Sequence, residues 1–260
     1  MSTPTINFHL ADCMDFMQAL PDKAYDLAII DPPYGIGEDG RNNHTRGKPF
    51  GSKSKNNKGK TPARDYKAAA RYDNEPPPPE YFAELKRVSK HQIIWGANHF
   101  IENFPFDKNA SCWIVWDKMN GASDFADFEM AWCSMPSAAR LFPYKWNGML
   151  QQDMKNKEVR QHPNQKPVAL YRWLLTNYAK PGHRILDTHG GSMSSAIACY
   201  DLGFDLDIIE LDPDYYQAGT DRFHRHVERW HKGMVAPITD QTDYSNLGGI
   251  FAPAPTDCPL

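Results

Sequence analysis

The segment of the chain best suited to chemistry is Asp31-Pro32-Pro33-Tyr34, which directly follows the apolar run 27–30. Two consecutive prolines end a strand, because proline has no backbone N–H to donate and its ring fixes φ. The chain must therefore turn at the edge of a sheet and present Asp31 and Tyr34 there. This edge is where α/β folds hold their ligands. A turn with a surface tyrosine would have the same four residues, so a second segment of matching type is needed.

The residue types in this segment suit chemistry on the exocyclic amine of a base. The lone pair of such an amine is delocalised into the ring, which makes the nitrogen a poor nucleophile. The Asp31 carboxylate and the Pro32 carbonyl can accept its two hydrogens and free the lone pair. Pro33 stiffens that carbonyl, and the Tyr34 ring offers a face on which an extruded base can stack. We therefore predict that all four residues are catalytic.

A second segment, 184–195, is typical of a strand, a glycine-rich turn and a helix beginning near Ser192 or Ser194. Glycines in such a turn allow a ligand to approach the backbone closely. The next strand ends at Glu210, about 20 residues beyond the turn, which is the spacing of an acid that binds ribose hydroxyls. The pattern predicts a cofactor that contains adenosine, with a tight strand-to-helix corner as the alternative.

The two segments together resemble the β-class amino-methyltransferase family, in which the catalytic motif precedes the cofactor motif. The resemblance extends from about Phe8 to Phe223. It implies S-adenosylmethionine as the cofactor, double-stranded DNA as the partner and adenine N6 as the target. Cytosine N4 is the alternative within the family, although serine often replaces the aspartate of the catalytic motif in such enzymes. A catalytically silent homologue that binds DNA or cofactor is a further alternative.

The resemblance also implies which residues bind the cofactor. An acid in the opening segment, here Asp12, would lie near the cofactor adenine, and Lys166 in the segment 162–167 would lie near its methionine end. The full predicted set is Asp12, Cys13, Asp31, Lys166, Asp187, Thr188, His189, Gly190, Gly191, Ser192, Glu210, Leu211 and Asp212.

The glycine-rich turn departs from the family pattern, which usually reads Asp-Pro-Phe-x-Gly-Ser-Gly-Thr. This chain has Thr188 and His189 after the aspartate, and Met193 replaces the second glycine. Because Ser194 and Ser195 resemble a first helical turn, we expect Met193 to have ordinary helical dihedral angles. The alternative is a methionine that crowds the cofactor and weakens its binding.

The alternation of patterns along the chain predicts the fold. Apolar runs predict strands at 27–30, 92–95, 112–116, 128–133, 184–186 and 206–211, and helical patterns cover 79–89, 168–179, 194–202 and 214–230. Continuous apolar strands are typical of a sheet covered on both faces. We expect a doubly wound, mainly parallel, Rossmann-like α/β domain over 1–235 and an extended tail over 236–260. The catalytic and cofactor strands should be adjacent at its centre.

One polar segment, 38–73, has no apolar periodicity and carries ten Lys or Arg residues against four acids, a local charge of about +6, whereas the whole chain has net charge -3. Because it follows the catalytic turn, we expect it to contact DNA phosphates rather than to be a solvated insertion. The predicted DNA-binding residues are Arg41, Arg46, Lys48, Lys53, Lys55, Lys58 and Lys60.

Other features exclude competing classes. The five cysteines form no C-x-x-C pair, which argues against a zinc site and for a cytoplasmic protein. The resemblance to DNA methyltransferases implies that it is nucleoid-associated. His224 and His226 lie two apart on a predicted helix and do not share a face, so we expect no metal. We expect no membrane contact, because no apolar run is long enough. Methylation of RNA or of a protein amide is less favoured, because amide methylators more often begin the motif with asparagine. The recognition sequence, a homodimer and the pairing with a nuclease stay open.

Overall fold

The computed structural model describes residues 3–37, 75–106, 108–120, 126–147 and 150–234. The basic segment 38–73, with its seven predicted DNA-binding residues, and the tail 236–260 lie outside the described residues. Within the described ranges, no helix is both long enough and apolar enough to cross a membrane.

Strands and α-helices alternate along the described chain, as the sequence predicts, except for a run of six strands in its middle. The strands are β1 (Ile6–Leu10), β2 (Tyr25–Ile30), β3 (Ser89–Trp95), β4 (Trp113–Asp117), β5 (Phe128–Cys133), β6 (Arg140–Pro143), β7 (Trp146–Asn147), β8 (Leu150–Gln151), β9 (Arg184–Asp187) and β10 (Asp205–Glu210). The helices are α1 (Cys13–Gln18), α2 (Pro79–Val88), α3 (Val168–Tyr178), α4 (Ser194–Leu202) and α5 (Pro213–His231). Short 3₁₀ turns at Ala97–His99 and Ile101–Asn103 follow β3.

Eight strands of the described chain form one sheet in the order β1-β10-β9-β2-β3-β5-β4-β6. All neighbours from β1 to β3 are parallel, β5 is antiparallel to both β3 and β4, and β6 is parallel to β4. The strands β7 and β8 form a separate antiparallel pair. The expected mainly parallel α/β sheet is confirmed, and so is the central, adjacent placement of β2 and β9.

Helices cover both faces of this sheet, which is why central strands such as β2 have apolar side chains on both faces. Along β2, Leu27 and Ile29 pack into the cluster that contains α3 and α4 residues. Ala28 and Ile30 face the opposite cluster, which contains Met17 of α1 and α2 residues. The predicted catalytic turn therefore begins at the end of a strand that is packed on both faces.

The elements that the sequence patterns did not predict include β1, β6 and α1, besides the two-residue strands β7 and β8 and the 3₁₀ turns. The burial of β1 is partial and irregular along its length, and β6 has only four residues with Leu141 exposed. Both are edge strands, where packing restrains the choice of residues less than it does in the centre of a sheet. Helix α1 has six residues, too few for a clear helical periodicity.

Candidate active site

The two predicted motifs meet at the carboxyl edge of the sheet. Strand β2 pairs in parallel with β9, with Leu27 opposite Ile185 and Ala28 opposite Leu186. Because the two strands run in the same direction and in register, the turn after Ile30 and the turn after Asp187 emerge side by side. The sheet thus brings the predicted catalytic segment next to the predicted cofactor turn.

The Asp31 carboxylate is held by two side chains. Its Oδ1 atom accepts a hydrogen bond from the Tyr34 hydroxyl at 2.8 Å and forms an ion pair with Lys166 Nζ. The side chain of Lys166 is only 3% exposed. Burial raises the pKa of Asp31, and the Lys166 charge offsets part of that rise. The resemblance placed Lys166 near the cofactor's methionine end, and the structure additionally pairs it with Asp31.

A second carboxylate, Glu129 of β5, lies on the other side of Lys166. It accepts from Lys166 Nζ at 3.1 Å and from Lys118 Nζ at 2.5 Å. Burial opposes its ionisation, but the two lysines lower the pKa of Glu129 to about 2. Charges of opposite sign therefore alternate from Lys118 through Glu129 and Lys166 to Asp31. The sequence analysis assigned neither Glu129 nor Lys118, although a glutamate inside an apolar strand is a signal of this kind.

The ring of Tyr34 is packed on the segment that follows β3. A Cβ atom added at Gly96 would lie 2.1 Å from Tyr34 Cε1, and Gly96 has a φ of +70°. Only glycine fits there, both for space and for backbone conformation. The His99 ring stacks on Tyr34 with centroids 5.2 Å apart and planes at 17°. A base that used this face of Tyr34 would have to displace His99.

The glycine-rich turn is held by two acids that the sequence analysis assigned to the cofactor. Glu210 accepts from Gly191 N at 2.6 Å and from Asp212 N at 2.9 Å, and burial raises its pKa. Asp187 accepts from Ser195 Oγ at 2.5 Å and from His189 N at 3.0 Å. Burial raises the pKa of Asp187 to about 7. Both carboxylates thus shape the turn as well as line it.

The raised pKa of Asp187 predicts a pH dependence of stability. A carboxyl that binds its proton more tightly when folded stabilises the protein at low pH, and this contribution is lost as the pH rises from about 4 to about 7. Asp187→Asn keeps the shape without the charge, so its free energy of unfolding should fall less than that of the wild type over this interval. Urea titrations at pH 5 and pH 8 measure the difference.

The matched control is Asp221→Asn, which changes an exposed aspartate of α5. It should leave the pH dependence of the wild type unchanged. If Asp187→Asn loses as much stability between pH 5 and pH 8 as the wild type does, Asp187 is not the group that titrates.

The two residues that replace the family's Pro-Phe join the turn to α2. Thr188 Oγ1 lies 2.6 Å from the Tyr81 hydroxyl and 2.9 Å from His189 Nδ1. Burial lowers the pKa of His189 to about 4, so the imidazole is neutral at pH 7. Hydrogen bonds thus connect Tyr81, Thr188 and His189 along one side of the predicted cofactor site. No pattern in the sequence indicated this position of Tyr81.

Other predicted cofactor residues have clear structural positions. Asp12 caps α1 by accepting from Met14 N at 2.7 Å, and Asp212 caps α5 by accepting from Asp214 N at 2.8 Å. Burial raises the pKa of Cys13 to about 12, so its thiol is protonated. The side chain of Leu211 is exposed at the end of β10. These roles at the cofactor stay predictions.

The expectation of ordinary dihedral angles at Met193 is wrong. Met193 has φ 57° and ψ 31°, in the left-handed region, and precedes α4 as its N-cap. Its side chain is fully buried and occupies space between two glycines. A Cβ at Gly190 would lie 2.8 Å from Met193 Sδ, and one at Gly219 would lie 2.5 Å from Met193 Cγ. The backbone keeps a conformation that favours glycine, and packing into the core compensates for the methionine.

This packing decides what Met193→Gly should do. Glycine relieves about 1–2 kcal/mol of left-handed strain, but losing a buried methionine side chain costs about 2–5 kcal/mol. We expect a net loss of about 1–3 kcal/mol in the free energy of unfolding, and no gain in cofactor affinity. Urea denaturation and calorimetry measure the two quantities. A variant that is more stable than the wild type would show that strain outweighs packing.

One buried ion pair joins the turn to the segment before α3. Arg222 donates to the Ser192 carbonyl and to Glu158 Oε2, each at 2.6 Å, and its side chain is 11% exposed. Glu158 also accepts from Val168 N at 3.0 Å. The charge pattern of α5 resembled a solvated face and did not reveal this link. It fixes the segment that carries Lys166 against the cofactor turn.

Comparison with known proteins decides the family. The sequence profile of the N6/N4 DNA methylases matches residues 25–221, which is most of the chain. The chain belongs to this family of DNA methylases. The match includes both the turn after β2 and the turn after β9, and so confirms the resemblance inferred from the motifs. It also confirms S-adenosylmethionine, the expected cofactor.

Relatives of this methylase agree with that assignment. The chain is 23% identical over 254 residues to the Type II methyltransferase M2.MboI of Moraxella bovis, covering 84% of this chain and 87% of the relative. A structure of a putative DNA modification methylase from Thermus thermophilus with S-adenosyl-L-methionine has a TM-score of 0.51, at 17% identity over 86% of this chain and 96% of that one. The structure of the cytosine-N4-specific PvuII DNA methyltransferase also has a TM-score of 0.51, at 11% identity, covering 89% of this chain and 94% of that one. The structures show that the fold is shared.

The residues of the site suit S-adenosylmethionine. Carboxylates of Asp31, Asp187 and Glu210 lie at the ends of three neighbouring strands, β2, β9 and β10, an arrangement that suits a ligand with a sulfonium and an ammonium group. The turn between them has glycine at 190 and 191, so ligand atoms can approach its backbone. The Lys166 ammonium, which the resemblance places near the methionine end of the cofactor, already contacts Asp31, Glu129 and the Tyr34 hydroxyl, so a carboxylate of the ligand would have to share it.

Proposed function

We propose that this methylase transfers the methyl group of S-adenosylmethionine to the exocyclic N6 of adenine in double-stranded DNA. The observation that carries the proposal is the partly buried Asp31 carboxylate, placed beside the cofactor turn and followed by the stiff Pro32-Pro33 segment. It provides an anionic acceptor and a neighbouring main-chain carbonyl at one point of the sheet edge. Those are the two acceptors that an aromatic amine needs.

The roles of the residues follow from this arrangement. The cofactor, when bound, supplies a methyl carbon made electrophilic by its sulfonium group. Asp31 and the Pro32 carbonyl accept the two hydrogens of the amine and draw its nitrogen towards tetrahedral geometry. Asp31 then receives the proton that the methylated nitrogen releases. Tyr34 and Lys166 hold Asp31 through Oδ1, so the amine is expected at Oδ2.

The environment of Asp31 suits both of these roles. Burial raises the pKa of this carboxyl, which makes its oxygens better acceptors than those of a solvated aspartate. The ion pair with Lys166 favours its ionised form. A carboxylate that is both ionised and basic is the form that a proton acceptor requires.

Cytosine N4 is the other target that this family's chemistry allows. The fold does not discriminate between the two, because a cytosine-N4-specific relative superposes as well as the other solved structure does. The aspartate at the first position of Asp31-Pro32-Pro33-Tyr34 supports adenine.

The test is to sequence DNA from a host that expresses the protein, by a method that detects modified bases. We expect N6-methyladenine at one recurrent short sequence, and its absence from a host that expresses Asp31→Ala at the same level. Methylcytosine in its place would overturn the assignment of the target. No modification by the wild type would overturn the proposed activity.

The basic segment 38–73 is our proposal for phosphate contacts, and it rests on the sequence alone. Its local charge contrasts with the net charge of -3, so DNA affinity must come from local cations such as these. Replacing Lys53, Lys55, Lys58 and Lys60 with glutamine should flatten the dependence of log K on log salt by about 1 to 3 units. Cofactor affinity should stay unchanged. An unaltered slope would place the phosphate contacts elsewhere in the proposed domain 1–235.

A further inference from the structure

The proposed mechanism gives no role to Glu129, a carboxylate that contacts Lys166 in the site. Glu129 lies on β5, opposite Trp116 of β4, and its side chain is 22% exposed. It contacts three polar groups of the site: Lys166 Nζ at 3.1 Å, Lys118 Nζ at 2.5 Å and the Tyr34 hydroxyl at 3.3 Å. No other acid contacts both lysines in the described part of the chain.

The three ammonium hydrogens of Lys166 are shared among three groups. Besides Asp31 and Glu129, Lys166 Nζ donates to the Tyr34 hydroxyl at 3.0 Å. Two carboxylates therefore compete for one buried cation. If Glu129 were neutral, Lys166 would have a single anionic partner, and the Asp31 carboxylate would be held more tightly and would be a weaker acceptor for a substrate hydrogen.

We propose that Glu129 is a positioning residue for methyl transfer: by drawing Lys166 partly away from Asp31, it leaves the Asp31 carboxylate able to accept the hydrogens of the target amine. Lys118 limits this effect from the other side, because it neutralises part of the Glu129 charge. The inference rests on the proposed function, in which Asp31 accepts the amine hydrogens.

Several other groups near Asp31 bear on its titration. Tyr34 donates to it, Tyr171 of α3 is buried within its electrostatic range, and Asp187 of β9 interacts with it across the strand pair. Glu129→Gln also changes the 3.3 Å contact between Glu129 and the Tyr34 hydroxyl, whereas Lys118→Met retains Glu129. The two variants together therefore separate the charge of Glu129 from its contact with Tyr34.

Two substitutions should shift the Asp31 titration in opposite directions. Glu129→Gln removes a negative charge, so the pKa of Asp31 should fall by about half a unit to one unit. Lys118→Met removes a positive charge, so the pKa of Asp31 should rise. Glu129→Asp keeps the charge, so the pKa of Asp31 in this variant should be closer to the wild-type value than it is in Glu129→Gln.

The first measurement needs neither cofactor nor DNA. The ¹³C shift of the Asp31 carboxyl is followed against pH in full-length protein labelled at aspartate, with Asp31→Asn identifying the signal. We expect the midpoint to move down in Glu129→Gln and up in Lys118→Met. Midpoints that do not move, or that move in the same direction, would overturn the inference even if the enzyme is active.

The second measurement is the pH profile of kcat with unmethylated genomic DNA and radiolabelled S-adenosylmethionine. Glu129→Gln should lower the plateau by about tenfold or more and shift the acid limb to lower pH, whereas Lys118→Met should shift the limb to higher pH. A purely structural role would lower kcat at every pH and leave the limb in place, which would overturn the inference. If wild-type protein transfers no methyl group, the proposed function fails, and the carboxyl shifts still decide the coupling.

If Glu129→Gln does not fold, Lys118→Met retains Glu129 and tests the same competition by itself. An upward shift of the Asp31 midpoint then supports the inference, and an unchanged or lowered midpoint overturns it.

Discussion

Replacing Asp31 with asparagine is expected to reduce the turnover of methyl transfer by about 100-fold or more, while the Kd of S-adenosylmethionine rises by less than about tenfold because the Asp187 and Glu210 carboxylates remain. Asparagine keeps the size of the side chain but removes the charge that holds the amine hydrogens and takes the released proton. A loss of about 100-fold corresponds to about 2.7 kcal/mol of transition-state stabilisation. Single-turnover kinetics and cofactor titration on the same preparation measure both quantities.

The matched control for this substitution lies near the start of the strand that Asp31 follows. Asp26 of β2 pairs with Lys90 at 2.8 Å at the opposite end of the sheet, away from both turns. Asp26→Asn should leave turnover and cofactor affinity near those of the wild type. If Asp31→Asn retains more than about a tenth of the wild-type turnover, Asp31 does not have the role proposed for it.

Replacing Glu210 with alanine should weaken cofactor binding by about 1.5 to 3 kcal/mol, the cost of losing charge-assisted hydrogen bonds to ribose hydroxyls. The structure adds a second reason for a loss. Glu210 also accepts a hydrogen bond from Gly191 N. The alanine variant would therefore lose a bond that holds the turn as well as the predicted contact with the ribose. Calorimetry with S-adenosylmethionine measures the change in Kd.

Two further variants separate these two contributions. Glu210→Gln keeps an acceptor for Gly191 N and should lose less affinity than the alanine variant does. Asp212→Asn changes the neighbouring acid, which caps α5, and should leave the Kd nearly unchanged. An unchanged Kd in Glu210→Ala, together with a loss in Asp212→Asn, would assign the ribose contact to Asp212.

The sequence predicted the centre of the fold well because burial on both faces restricts the residues there. The central strands β2, β9 and β10 are buried from two sides, and the apolar run of each ends sharply at Asp31, Asp187 or Glu210. In β10 a charged residue, Asp207, interrupts the run. Edge strands such as β1 and β6 face fewer packing constraints and have weaker patterns. The strands that the sequence predicted are thus the more deeply buried ones.

The site was predicted where a residue belongs to a continuous motif, and missed where it depends on contacts between distant segments. Asp31 directly follows its strand and Glu210 is the last residue of its strand, whereas Glu129 reaches Lys166 only because β5 lies beside β3 in the sheet. Met193 shows the same limit. Its left-handed backbone is tolerated because Gly190 and Gly219 leave room for its side chain, and Gly219 is 26 residues away in the chain.

The most direct test of the account is to follow the methyl group itself. Duplex DNA without methylated bases is incubated with the protein and S-adenosylmethionine that carries a deuterated methyl group, and the digested nucleosides are analysed by mass spectrometry. The account predicts N6-methyldeoxyadenosine with a deuterated methyl group when the wild-type protein is used, and only the background level of this nucleoside with Asp31→Asn. Deuterium on cytosine, or equal labelling of adenine by both proteins, would contradict it.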